Sequence, residues 1–493
     1  MSETTLPPIP IADVQRSVTA ELDRLAPVIE PLAELFAAEG HELALVGGPV
    51  RDAMLGRAQH DLDFTTSARP EATERILKRW VGSERRGATW DMGRAFGTIG
   101  CRKGEWQVEV TTYRSEVYDP DSRKPEVDFG DTLAGDLGRR DFTVNAMAVR
   151  LAGPHGVERS VVDLYGGVVD LATRTLRTPG RPEDSFGDDP LRMMRAARFA
   201  AQLGFTPAED VVAAMTEMAD RIEIISAERV RDELTKLICA PYPRLGLTLL
   251  VDTGLADRVL PELPALRLER DEHHRHKDVY EHSLTVLEQA IEQEDRLPGG
   301  GPDFISRFAA LMHDVGKPRT RRFLEDGTVT FHHHDVVGAK LVRKRMKALR
   351  FSGEETDAVA RLVELHLRFH GYGTGEWTDS AVRRYVRDAG DQLERLHILT
   401  RADCTTRNRR KAERLARTYD ALEARIERLA GEEELAAMRP ALDGNQIMSI
   451  LGLAPGREVG EAYRYLLEMR IDEGPLSEEE ATARLRVWWD ARA

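Results

Sequence analysis

Apolar residues recur at intervals of three and four through IADVQRSVTAELDRLAPVIEPLAELFAAEG (residues 11–40), which predicts one long amphipathic helix stopped at Gly40. The pattern then changes. HELALVGG, DLDFTT, FGTIGCRKG and EWQVEVTTYR are short, partly alternating segments, separated by glycines or by helical stretches such as RPEATERILKRW. They predict a mixed sheet packed on helices, running to about residue 175. Beyond Pro179 the strand signal almost vanishes, and amphipathic helices dominate from PLRMMRAARFAAQLGF to the end, with LPGGGP (297–302) as a loop among them. The expected architecture is multidomain α+β. It divides into an N-terminal helix (1–34), a mixed α/β head (35–177), and three all-α regions at 178–270, 271–410 and 411–493.

Composition agrees with this division. A chain of 493 residues exceeds one ordinary core and suggests roughly three domains of typical size. With 41% hydrophobic and only 6% aromatic residues, it reads as a folded, helix-rich chain rather than a disordered one. No run approaches the roughly 18 apolar residues that a membrane span needs, and MSETTLPPIP lacks the features of a signal peptide, so a cytoplasmic location is expected. Cys101, Cys239 and Cys404 are far apart and read as free thiols. Oligomeric state leaves no mark in this pattern. A formal charge of -14 argues at first against a nucleic-acid partner. Local distribution qualifies that, because VRKRMKALR (342–350) and RNRRKAERLAR (407–417) are basic at helical spacing, though such runs are commonly solvated helix faces.

The candidate chemistry begins at ALVGGPVRDAMLGRAQHDLDFTT. Gly47 and Gly48 end an apolar strand before a short helix that carries Arg51, and glycines there let backbone N–H groups approach phosphate closely. Asp61 and Asp63 are alternate strand residues, so their carboxylates share a face about 6.6 Å apart along the chain. Such a pair can hold Mg²⁺ for phosphoryl transfer, although a bare DxD is also an ordinary acidic turn. Glu109, in the alternating VEVTTYR, is a weaker candidate for a third carboxylate, and the pattern leaves open which acid faces Asp61.

Further along, RRDFTVNAMA holds Arg139, Arg140, Asp141 and Asn145 ahead of an apolar segment, and DLYGGVVDL has the turn Gly166-Gly167. In DDPLRMMRAAR, a helical reading places Asp189, Arg192 and Arg195 at successive i, i+3 steps on one face, with Arg198 continuing it. A carboxylate beside a guanidinium complements the exocyclic amine and bare ring nitrogen of cytosine and adenine. Guanine and uracil present the opposite arrangement. The same spacing also suits a plain surface ion pair.

Taken in order, LVGGPVRDAMLGR with DLDFTT, TTYRSEVYDPDSRKPEVDFG, RRDFTVNAMA, DLYGGVVDL, DDPLRMMRAARFAAQLGF and ISAERVRDEL resemble the class II CCA-adding tRNA nucleotidyltransferases and the related bacterial poly(A) polymerases of the polymerase-β-like superfamily. The resemblance spans about residues 35–255. It implies a head whose Asp61 and Asp63 bind Mg²⁺ and catalyse transfer. It further implies that Gly48, Arg51, Arg140, Asp189, Arg192, Arg195 and Arg198 bind nucleotide, with Asp189 and Arg192 reading the base. ATP and CTP would be donors, the 3′ end of tRNA the acceptor and pyrophosphate the product. The loop YDPDSRKPEVDFG corresponds to one that members adding only the two cytidines typically lack, which favours complete CCA addition or A addition.

Downstream, VYEHSLTV, FAALMHDVGK, FHHHDVVGA, VELHLRFH and LTRADCTTR resemble the HD phosphohydrolase superfamily over about residues 275–410. The resemblance assigns a divalent metal to His282, His313, Asp314 and Asp403, and His334 and His366 could extend the set to a second ion. This module could hydrolyse phosphoesters or serve as a scaffold for RNA. Two further readings stay open beside CCA addition: open-ended or A-only addition by the same head, and an HD-type hydrolase or RNA-binding regulator whose head has decayed. Intact Asp61, Asp63, Arg140, Asp189 and Arg192 argue against decay.

Overall fold

Ile11–Ala38 forms one helix, α1, whose buried face Val18, Leu22, Leu25, Ile29, Leu32 and Phe36 carries the three-and-four spacing seen in the sequence. Gly40, at φ +76°, closes it, with the His41 N–H donating to Phe36 O at 3.0 Å. A computed structural model of the chain describes residues 6–82, 88–90, 97–117, 126–129, 132–268, 278–325, 329–371, 377–405, 408–433 and 439–492. They fall in two units, Met1–Pro261 and Glu262–Ala493.

In the first unit, after α1, come β1 (Leu43–Val46), α2 (Gly48–Met54), β2 (Asp61–Thr66), α3 (Pro70–Val81), β3 (Ala88–Trp90), β4 (Thr98–Lys103), β5 (Trp106–Thr112), β6 (Arg114–Val117), β7 (Glu126–Phe129), α4 (Leu133–Gly138), β8 (Met147–Gly153), β9 (Gly156–Asp163) and α5 (Gly167–Thr173). Seven of the strands make a mixed sheet in the order β3-β4-β5-β2-β1-β8-β9. Only β2 and β5 pair in parallel; the other neighbours are antiparallel. The strands expected from the sequence are present, and β3, β9 and β8 extend the sheet beyond those segments. Near-total burial of Met147 to Val149 hides the alternation there. The Gly166-Gly167 pair opens α5: Gly166 is left-handed at φ +77°, and a Cβ on Gly167 would lie 2.3 Å from Thr143 O.

Helices then take over, as expected: β10 (Thr175–Leu176), α6 (Pro182–Asp188), α7 (Leu191–Leu203), β11 (Thr206–Pro207), α8 (Glu209–Glu217), α9 (Ala227–Ile238), α10 (Pro243–Asp252) and α11 (Leu255–Val259). One expectation fails here. Asp189 is not on the helix with Arg192; it sits before α7 in extended backbone, and its Oδ1 accepts the Leu191 N–H at 3.0 Å. Pro190 explains the break, since the residue before a proline is driven out of the helical region.

The second unit contains α12 (Val279–Ile291), α13 (Phe304–Met312), α14 (Lys317–Thr320), β12 (Arg322–Phe323), β13 (Val329–Thr330), α15 (His334–Ala348), α16 (Gly353–Leu365), α17 (Asp379–Ala389), α18 (Leu393–Ala402), α19 (Arg409–Glu433), α20 (Gly444–Leu451), α21 (Arg457–Glu473) and α22 (Glu478–Asp490). Its centre packs α12 and α16 against α13 and α18, while Leu442, Ile447, Ala462, Leu466, Ala481 and Leu485 form a separate small core at the C-terminal end. The three cysteines are free thiols. Among the described residues no helix is long and apolar enough to cross a membrane.

Candidate functional site

The acidic pair is built by strand geometry. In β2, Leu62 and Phe64 are buried, and Asp61 and Asp63 between them face the exposed side of the sheet. β5 lies parallel to β2 with Asp63 opposite Glu109 and Asp61 opposite Gln107, so Glu109 shares the face of both aspartates. Lost hydration and the negative charges of Glu109 and Asp61 raise the Asp63 carboxyl above its ordinary value, against the pull of Arg140. Carboxylates crowded in this way favour a bound cation, which removes their repulsion.

Beside them, β1 ends at Gly47 (φ +70°), and the guanidinium of Arg140 lies where any larger residue would place its Cβ, with Nη1 2.9 Å from that point. Arg140 is held by the buried Asp136, whose Oδ2 is 3.2 Å from Nη2, while Arg139 takes Oδ1 at 2.8 Å. Burial would raise the Asp136 carboxyl, but these two guanidiniums hold it below its ordinary value. Arg140 Nε, though buried, has no hydrogen-bond partner among the described residues.

Arg51 and the arginines of α7 belong to one buried network. Arg51 donates to Asp52 at 2.9 and 3.0 Å and to Asn145 Oδ1 at 2.8 Å. Asn145 donates to Asp141 Oδ1 at 3.0 Å, and Arg195 donates to Asp141 Oδ2 at 2.5 and 2.8 Å. Asp141 also accepts the Phe142 N–H at 2.8 Å. Burial opposes its charge, yet Arg195 and these donors hold the carboxyl at about 2. Arg198 completes the chain through Glu233, at 2.6 Å. All three of these arginines approach the ring of Phe199, Arg198 most closely at 4.1 Å.

Arg192 points elsewhere. It donates to Ser185 Oγ at 2.9 Å and to Arg139 O at 2.5 Å, which ties α7 to the turn that carries Arg140. Asp189 Oδ2 pairs with Arg229 on α9 at 2.9 Å, so Asp189 and Arg192 are held by separate partners. Sequence reasoning missed Glu233 and Arg229. Both stand one helical turn apart in ISAERVRDEL, and that i, i+4 spacing was the available signal. The loop YDPDSRKPEVDFG lies largely outside the described residues.

In the second unit the six side chains come together, but Asp314 falls with His334 and His366 rather than with His282, His313 and Asp403 as expected. His313, His366 and Asp403 sit at the C-terminal ends of α13, α16 and α18, Asp314 follows His313, His334 begins α15, and His282 lies on α12. His282, His313 and Asp403 offer one cluster of ligand atoms and Asp314, His334 and His366 a second. His282 Nε2 is 3.0 Å from Asp403 Oδ1 and 3.3 Å from His313 Nε2, and His334 Nε2 is 3.2 Å from Asp314 Oδ1. Nδ1 of His313, His334 and His366 each meets a backbone carbonyl three residues back, at 2.8, 2.8 and 2.6 Å. A carbonyl only accepts, so each Nδ1 carries a proton, and Nε2 is the ring nitrogen left to face the centre. His334 Nε2 is buried with no well-formed hydrogen bond among the described residues, as an open ligand position would be, while Asp314 Oδ2 faces the Lys317 ammonium at 2.8 Å. In HDVGK the glycine is required by packing: a Cβ on Gly316 would lie 2.0 Å from His334 O.

Three family profiles match in succession: the poly(A) polymerase head domain over residues 43–177, the "Probable RNA and SrmB- binding site of polymerase A" over 204–266, and the HD domain over 279–408. The A-adding tRNA nucleotidyltransferase of Deinococcus radiodurans is 35% identical over 451 residues, covering 90% of this chain and 95% of its own. The CCA-adding enzyme of Streptococcus thermophilus is 31% identical over 452 residues, covering 91% and 93%. In fold, the chain is similar to the CCA-adding enzyme of Bacillus stearothermophilus crystallised with CTP, at a TM-score of 0.61 and 23% identity over 95% of this chain and 98% of that one. With identity at this level along nearly its whole length, the chain belongs to the family of CCA-adding and A-adding tRNA nucleotidyltransferases.

Proposed function

We propose that this enzyme works in the cytoplasm and adds C, C and A in turn to the 3′ end of tRNA, taking CMP and AMP from CTP and ATP and releasing pyrophosphate. The observation that carries the reading is the set of three carboxylates across β2 and β5 beside the Gly47 turn and Arg140. Asp61 and Asp63, supported by Glu109, would hold Mg²⁺, and the crowding of like charge around Asp63 fits a divalent cation. When bound, the metal would lower the barrier to attack of the RNA 3′ hydroxyl on the α-phosphorus and neutralise charge on the leaving pyrophosphate.

The other parts follow from their anchors. Gly48 and its neighbours bring backbone close to the triphosphate, and Arg140 adds positive charge at a fixed position because Asp136 and the bare face of Gly47 determine where it lies. Asp189 and Arg192 offer one acceptor and one donor set to a base, matching cytosine and adenine. Arg51, Arg195 and Arg198, locked with Asp141 and Glu233, hold α7 against the head and line the nucleotide site. Replacing Asp61 with Ala tests the centre: nucleotide addition should be abolished while tRNA binding is retained, and continued transfer would remove the metal role. The similarity to an A-adding enzyme supports one alternative, addition of the final A alone, which differs only in whether CTP is used.

A second reading rests on the six converging ligands. We propose that His282, His313 and Asp403 hold one divalent ion and Asp314, His334 and His366 another, supporting hydrolysis of a phosphoester such as a 2′,3′-cyclic phosphate at an RNA end. Water would add to phosphorus, one ester P–O bond would break, and the proton would pass to the departing oxygen. Lys317 Nζ, 2.8 Å from Asp314 Oδ2, would place positive charge beside the reacting phosphate. Changing Asp314 to Asn and measuring phosphate-ester release tests this; unchanged release sinks it.

A further inference from the structure

We infer that Lys317 to Leu324, in the segment between Asp314 and His334 of the second cluster, is a cradle for a single-stranded RNA end: Arg319 and Arg322 take backbone phosphates and Phe323 stacks on a base. The inference rests on the hydrolytic reading above and deepens it by naming what holds the substrate.

Three observations carry it. First, position: α14 starts at Lys317, three residues after Asp314, and the chain leaves it as the β12–β13 hairpin and returns at His334. The hairpin is therefore anchored at both ends by residues of the centre. Phe323 is six residues from Lys317, at most roughly 20 Å of chain. Second, charge: KPRTRRF (317–323) holds four cations and no acid in a chain of net charge -14. Arg319 and Arg322 are exposed and make no ion pair among the described residues. Third, exposure: Phe323 is 70% and Leu324 49% exposed, and the Arg321 guanidinium lies 5.3 Å from the Phe323 ring centre.

A single exposed apolar residue needs no explanation. An exposed aromatic among exposed cations beside a phosphoester-cleaving centre does, because sequence-tolerant binding of single strands combines a positive track with base stacking. A second cationic stretch follows the last ligand along the chain. Asp403 ends α18, and α19 opens within six residues of it, with Arg410 and Arg414 exposed and making no ion pair among the described residues. An acidic protein segment would use the cations equally well but would have no use for the ring.

The test uses full-length protein loaded with Mn²⁺ and two substrates, an RNA octanucleotide ending in a 2′,3′-cyclic phosphate and the small diester bis(p-nitrophenyl) phosphate. Phe323→Ala and the double variant Arg319→Ala/Arg322→Ala should raise KM for the octanucleotide on the order of tenfold or more, with kcat nearly unchanged and the small diester turned over as by the wild type. A 4-thiouridine octanucleotide should crosslink within residues 319–324, and this readout needs no hydrolysis. Crosslinking there without turnover of either substrate would retain the cradle and reject the hydrolytic reading. An unmoved KM in both variants, no crosslink in 319–324, or tighter binding of poly-glutamate than of RNA to this segment would each overturn the inference.

Discussion

Replacing Asp141 with Asn removes one charge from the middle of the buried network and preserves its shape. The carboxyl is held at about 2 rather than its ordinary 3.8, nearly two pH units. At 1.36 kcal/mol per unit, the ionised form gains roughly 2–3 kcal/mol of stability from its folded surroundings. A depressed carboxyl contributes this in full above pH 3.8, and the contribution is lost as pH falls toward 2. The Asp141→Asn variant lacks it at neutral pH and leaves Arg195 facing a neutral amide, with Glu233 more distant at 3.9 Å. Calorimetry at pH 7 should place the melting of the first unit about 5–10 °C lower, given roughly 2–4 °C per kcal/mol for a unit of this size. The gap between wild type and variant should narrow as pH is lowered below about 4. A double-mutant cycle with Arg195→Met should return a coupling of at least about 1 kcal/mol. Equal melting temperatures at pH 7, or additive single effects, would refute the network.

Gly47→Ala would demand a left-handed alanine and push on Arg140; transfer should slow roughly tenfold or more, with circular dichroism unchanged. Glu233→Gln leaves Arg198 buried against an uncharged partner, and a loss of about 2–4 kcal/mol in urea titration is expected. Asp189→Ala should cut kcat/KM for CTP and ATP about tenfold or more while sparing UTP, measured as the ratio of single-nucleotide incorporations. His366→Ala should lower the bound divalent metal by about one equivalent in elemental analysis of the second unit's site, because it removes a ligand of only one cluster.

Local patterns were legible where one residue type had one structural meaning. The alternation in DLDFTT put Asp61 and Asp63 on one face, and the spacing in α1 gave its buried side. What pairs across elements was not legible. Glu109 faces Asp63 through a parallel register that no local pattern encodes, and Asp189 left its helix because Pro190 overrides the i, i+3 spacing. The buried carboxylate partners of Arg195 and Arg198, Asp141 and Glu233, come from distant segments and leave no mark in the local spacing. The histidine-aspartate centre was more readable because its ligands sit at helix ends within five separate motifs, so the motifs themselves marked it. The role of Gly316 emerged only from the approach of α15.

Successive addition of C, C and A is tested by incubating tRNA that ends before its CCA with CTP alone, ATP alone and both, then sequencing the 3′ ends. CTP alone should add C-C, both nucleotides together should complete C-C-A, and synthesis should stop there. Addition of A only to a C-C end would assign the narrower activity. Open-ended A tracts, or no addition at all by protein whose Asp61, Asp63 and Glu109 are intact, would contradict successive C, C and A addition.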